Sequence, residues 1–133
     1  MEQLSMLANR KPDSITRLTR NARIFKTIIH AIQQKKGENI VSLDLHKIPE
    51  AVTDFFVICH ASSTTQVKAI TDHVEAMVKQ ECDEAPFRHE GQHGSQWVLV
   101  DYINVVVHVM HEEARKFYKL EEMWSDAGIT EHN

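Results

Sequence analysis

The sequence predicts an α/β domain: a mixed β-sheet flanked by helices. Three observations carry this. Apolar residues at Phe25, Ile28, Ile29 and Ile32, and again at Val67, Ile70, Val74, Met77 and Val78, recur at helical spacing. Runs rich in Val, Ile, Phe and Trp at 55–59, 97–100 and 105–110 have the composition of strands. The links between runs differ in kind. A strand–helix–strand crossover calls for parallel pairing, and the short break after residue 100 calls for an antiparallel hairpin, so the sheet is mixed.

Each element follows in order. Residues 1–22 show little hydrophobic pattern and read as a flexible basic extension, with Asp13 or Ser14 as candidate helix caps. The stripe from Phe25 to Ile32 gives the first helix, and Gly37 stops it after Lys35 and Lys36. Residues 40–45 read as a strand, and Ile48-Pro49-Glu50 breaks it into a loop. The unbroken apolar run 55–59 reads as a central strand buried on both faces. Ser63 and Gln66 have capping-box spacing for a second helix ending near Cys82. Pro86-Phe87-Arg88 reads as a short edge strand, and Gly91 and Gly94 bracket a loop. In the hairpin, Trp97, Leu99 and Asp101 point one way and Val98, Val100 and Tyr102 the other. On its second strand Val105, Val107 and Val109 share one face, and Val106, His108 and Met110 the opposite one. Glu112 and Glu113 open a last helix, with Phe117, Leu120 and Trp124 as its packing residues. Residues 128–133 are polar and read as a loose tail, so the predicted single domain spans 23–127.

Composition narrows the function. No apolar run approaches the roughly 20 residues of a membrane span, and no signal peptide is visible. Cys59 and Cys82 lack CxxC pairing, which fits a reducing, cytoplasmic setting. The net charge of −4 argues against a large nucleic-acid footprint on the body. That charge is uneven. Six bases against two acids give +4 up to Lys26, which leaves −8 for the rest. An acidic body suits a basic partner surface, and the basic segment 10–23 either contacts RNA or is a solvated tail.

A search for chemistry finds no active site. Nine histidines invite a metal, but neither His108/His111 nor His89/His93 has cysteine or paired acidic partners at zinc-like spacing. No phosphate-binding glycine motif is present. A nucleotidyltransferase needs grouped carboxylates for two metal ions, and Asp44 and Asp101 each stand alone where a pair is required. Helix capping accounts for Ser62, Ser63 and Thr64, and Cys59 is a small hydrophobe inside a strand. The sequence therefore predicts no catalytic residue, cofactor or metal. Trp97, Leu99, Asp101 and Tyr102 stand out beside the hairpin, with Tyr118 and Trp124 downstream. Trp and Tyr favour interface hot spots, and they are equally ordinary as core.

These residues resemble a known family, the ribosomal silencing factors (RsfS, or Iojap-like proteins). The matching pieces are Thr53-Asp54-Phe55-Phe56-Val57-Ile58-Cys59, Glu90-Gly91, Trp97-Val98-Leu99-Val100-Asp101-Tyr102, Val105-Val106-Val107-His108-Val109, the segment 113–121 and Trp124. Each piece is weak alone; their order and spacing together are specific. The resemblance implies a domain of nucleotidyltransferase-like topology without that catalytic apparatus. It implies a cytoplasmic homodimer that binds the large ribosomal subunit through its ribosomal protein fourteen. Bound there, the factor blocks joining of the small subunit and represses translation when nutrients are scarce. By motif position it places Trp97, Leu99, Asp101 and Tyr102 at or beside the partner surface, with Glu90 and His108 nearby.

The chain departs from the family pattern at three places. His60-Ala61 stands where the family carries Ser-Gly, Gln66 where it carries His, and Ile103-Asn104 where it carries Gly-Asp in the hairpin turn. A β-branched Ile resists φ > 0, which argues for a reshaped turn. Two rival readings are a nucleotide-binding or nucleotidyltransferase-like enzyme, suggested by topology, and a dimeric scaffold with another protein partner.

Overall fold

The computed structural model describes residues 22–133. Helix α1 is Arg23–Gln34, followed by strands β1 (Glu38–Asp44) and β2 (Phe55–Ala61). Helix α2 (Thr64–Cys82) leads to β3 (Arg88–Glu90), β4 (Trp97–Asp101) and β5 (Val105–His111). Two short helices, α3 (Glu112–Tyr118) and α4 (Leu120–Met123), precede β6 (Gly128–Glu131). The six strands form one sheet in the order β3-β4-β5-β2-β1-β6. β2 and β5 pair in parallel through the crossover that contains α2, and the remaining pairs are antiparallel. The mixed sheet flanked by helices is thus the architecture predicted.

The sheet has two packed faces because the strand period is two. Phe55, Val57, Cys59, Val98, Val100, Val105, Val107 and Val109 pack under α1 and α2. Phe56, Ile58, Leu99, Val106 and Met110 pack under α3 and α4 with Leu120 and the partly buried Trp97 and Trp124. β2 and β5 lie at the middle of the sheet, so both of their faces are covered, as their continuous apolar runs require.

The helix ends show how the sequence sets the boundaries. α1 closes with the Gly37 N–H bonded to the Ile32 carbonyl and the Lys36 N–H to that of Gln33, both at 3.0 Å. This is a Schellman end in which Lys36, at φ 59°, takes the left-handed position. Gly37 serves by size: a Cβ there would lie 2.4 Å from Ile32 Cγ2. Ser63 caps α2, its hydroxyl accepting the Gln66 N–H at 3.1 Å. The Gln66 amide does not return to complete a box. It donates to the Lys35 and Lys36 carbonyls at the end of α1, tying the two helices together.

The structure corrects four expectations. Residues 128–133 are not a loose tail: β6 pairs with β1, and the Asn133 side chain accepts the Ile40 N–H at 2.9 Å. The domain therefore continues past residue 127. The edge strand lies at Arg88–Glu90, two residues later than expected, where its partner β4 offers backbone groups. The last helix is broken at Lys119, φ 50°, so Leu120 is buried while Phe117 is 77% exposed rather than packed. The hairpin turn stays tight, with Ile103 driven to φ 74° and the Tyr102 N–H bonded to the Val105 carbonyl at 2.9 Å. The expectations for residues 1–21, including the caps at Asp13 and Ser14, lie outside the described residues.

Candidate protein-binding site

β4 and β5 build the frame of the site. Trp97 stands opposite Met110, Leu99 opposite His108 and Asp101 opposite Val106, while Glu90 on β3 faces Leu99. Alternation sends Trp97, Leu99 and His108 toward α3 and α4, and Tyr102 into the opposite core, under α1 and α2.

The six sequence candidates therefore do not form one surface. Leu99, Asp101 and His108 are at most 1% exposed, and Tyr102 is 5% exposed. Only Trp97 and Glu90 are half-buried. Asp101 braces the hairpin tip, accepting the Ile103 N–H at 2.8 Å, and this bond helps hold Ile103 in its strained conformation. The Tyr102 hydroxyl is buried without a hydrogen-bond partner, and burial raises its pKa. The indole N–H of Trp97 donates to His108 Nδ1 at 3.0 Å. Burial alone pushes the His108 imidazole down to about 3, so the ring is neutral.

Outside the frame, at the break at Lys119, Tyr118 joins Trp97 as its place among the stand-out aromatics suggested, and Phe117, expected to pack, joins it on the surface. Tyr118, 51% exposed, lies with its ring 5.0 Å from that of Trp97, and Phe117 meets Tyr118 edge-on at 5.0 Å. Met123 on α4 is 54% exposed. Gln96, Glu113, Ala114, Lys116, Phe117 and Tyr118 line a shallow depression of about 530 Å³ beside this ledge. The signal was present as two adjacent aromatics on one short helix, since neighbours in a helix cannot both face the core.

Arg115 spans the break. Its guanidinium is 7% exposed and donates to Glu121 Oε2 at 2.8 and 3.1 Å, to the Asn39 carbonyl at 2.7 Å and to His60 Nδ1 at 3.0 Å. Burial, with help from this cation, lowers the His60 pKa. The departure at His60 thus supplies a neutral acceptor to a buried guanidinium. The departure at Asn104 is likewise internal: its amide donates to Asp54 at 2.9 Å, and its carbonyl accepts the Asp54 and Phe55 N–H groups. Both departures are engaged in contacts within the domain.

Reactive groups are poorly placed for catalysis. Burial pushes the Cys59 thiol up to about 12, which leaves it protonated. Among the described residues no group of three or more His, Cys, Asp or Glu side chains is arranged to hold a metal ion. No helix among them is long and apolar enough to cross a membrane.

Comparison with known proteins agrees with this frame. Residues 19–133 match the family model described as "Ribosomal silencing factor during starvation". Ribosomal silencing factor RsfS of Bacillus subtilis is 39% identical over 81% of this chain and 90% of its own length. That of Halalkalibacterium halodurans is 37% identical over 84% of this chain and 93% of its own. A mouse protein named for mitochondrial assembly of the ribosomal large subunit is 32% identical over 68% of this chain and 41% of its own length. A crystal structure of a Chromobacterium violaceum protein superposes with a TM-score of 0.73 at 33% identity, over 77% of this chain and 83% of that one. With the match to the family model spanning both faces of the sheet, the chain belongs to the ribosomal silencing factor family.

Proposed function

We propose that this protein is a non-enzymatic translational repressor of the cytoplasm. It binds the large ribosomal subunit through that subunit's protein fourteen and sterically prevents the small subunit from joining. The observation that carries the reading is the aromatic ledge of Trp97, Tyr118 and Phe117 on the surface of the domain. The names of the relatives support the ribosome as the target. The acidic balance of the body suits a basic ribosomal protein, and Glu112, Glu113 and Glu122 lie close to the ledge in sequence.

In this reading Trp97 makes direct contact and Glu90 lies beside it, Leu99, Asp101 and His108 hold the contact surface in shape, and Tyr102 anchors the hairpin from the opposite core. The protein acts as a homodimer, and the basic segment 10–23 adds a peripheral contact to ribosomal RNA. Subunit association followed by light scattering tests the reading. Wild-type protein added to large subunits lowers association, and Trp97→Ala weakens this by about tenfold or more, as expected for a hot-spot aromatic. Inhibition unchanged by Trp97→Ala, with the variant folded, contradicts the proposed surface.

A further inference from the structure

We infer that His108 is a positioning residue, which fixes the Trp97 indole in the orientation presented to the partner. The inference rests on the reading of Trp97 as a contact residue and deepens it. The geometry is specific about protons. An indole N–H can only donate, so Nδ1 of His108 must carry the lone pair. The proton then sits on Nε2, and the ring must be neutral.

The arrangement is costly for a core. His108 is completely buried in the middle of β5, and its Nε2 has no hydrogen-bond partner. Around it are Leu99 across the strand pair and the Phe56 ring, edge-to-face at 4.6 Å. An apolar side chain would suit these neighbours, and removing a buried unpaired donor is favourable. What the imidazole supplies and an apolar group does not is one acceptor, aimed at Trp97. That bond holds one edge of the indole, and Tyr118 packs against the ring from outside. Two supports on one half-buried side chain leave a single orientation, so less ordering remains for the partner to impose.

Three variants separate positioning from mere filling. Asn at position 108 keeps an acceptor where Nδ1 stands, Gln moves it toward the Nε2 position, and Leu removes it. In ¹H–¹⁵N spectra of the free protein, the Trp97 indole N–H should be slow to exchange in wild type and in His108→Asn. It should exchange fast in His108→Gln and His108→Leu. Large-subunit binding should weaken by about fivefold in Gln and Leu, the equivalent of one hydrogen bond, and recover in Asn. His108→Leu should keep the wild-type melting temperature or exceed it. Unchanged indole exchange in folded His108→Leu overturns the tether, whether or not the protein binds ribosomes. Fast exchange with undiminished binding overturns the positioning role. Should Trp97→Ala bind as well as wild type, the contact surface is misassigned and the positioning role falls with it. The exchange data alone would then still decide the tether.

Discussion

A neutral imidazole sealed between a sheet and its helices makes stability depend on pH. His108 has its pKa depressed by burial from 6.5 to about 3, so the unfolded chain binds the proton more readily than the folded one. Its contribution is complete above about pH 6.5 and is lost as pH falls toward about 3, approaching about 1.4 kcal/mol per pH unit within that window. His60, depressed by burial and by Arg115, acts with the same sign. Thermal unfolding should therefore show a lower melting temperature at about pH 5 than at about pH 7.5, and His108→Leu should flatten most of that slope. An equal slope in the variant would mean that other groups dominate. At this scale the sequence showed which residues matter and hid what they do. Trp97 and His108 both stood out, but the bond between them depends on the pairing of β4 with β5. Ile103 shows the opposite case. Its β-branch argued against a tight turn, yet the Asp101 carboxylate and the Tyr102–Val105 bond hold φ at 74° against that preference.

Among the elements, the break between α3 and α4 decides which aromatics face solvent. Arg115 ties α3 to the Asn39 carbonyl on β1 and to Glu121 on α4, across a turn in which Lys119 is left-handed. Arg115→Ala should destabilise the fold by about 2 kcal/mol, seen as a lower denaturant midpoint with unchanged slope. Arg115→Lys should recover little, because one ammonium cannot reach three partners in a planar fork. The alternation of β4 and β5, the crossover that makes β2 and β5 parallel, and the Ser63 cap were all legible, since each follows from local periodicity or chemistry. The break at Lys119 was not. Phe117, Leu120 and Trp124 have the spacing of a continuous helix stripe, and the left-handed turn at Lys119 that interrupts it has no local sequence signal such as Gly or Pro.

Across the whole molecule, the sheet is closed at one edge by the last residues of the chain. β6 contains a single apolar side chain, Ile129, which is 56% exposed, so no hydrophobic pattern announced it. Backbone pairing makes the strand, helped by His132, which bonds Ser42 at 2.8 Å, and by Asn133. Deleting residues 128–133 should bare the β1 edge, lower the melting temperature by about 5 °C or more and promote association between copies. The function of the intact domain depends on what its aromatic ledge touches. Sedimentation of the protein with isolated large subunits at near-physiological salt measures that contact. The protein should sediment with large subunits and keep added small subunits from joining them, and Trp97→Ala should stay in the supernatant. Wild-type protein remaining in the supernatant, or sedimenting while small subunits still join, would contradict the proposed function.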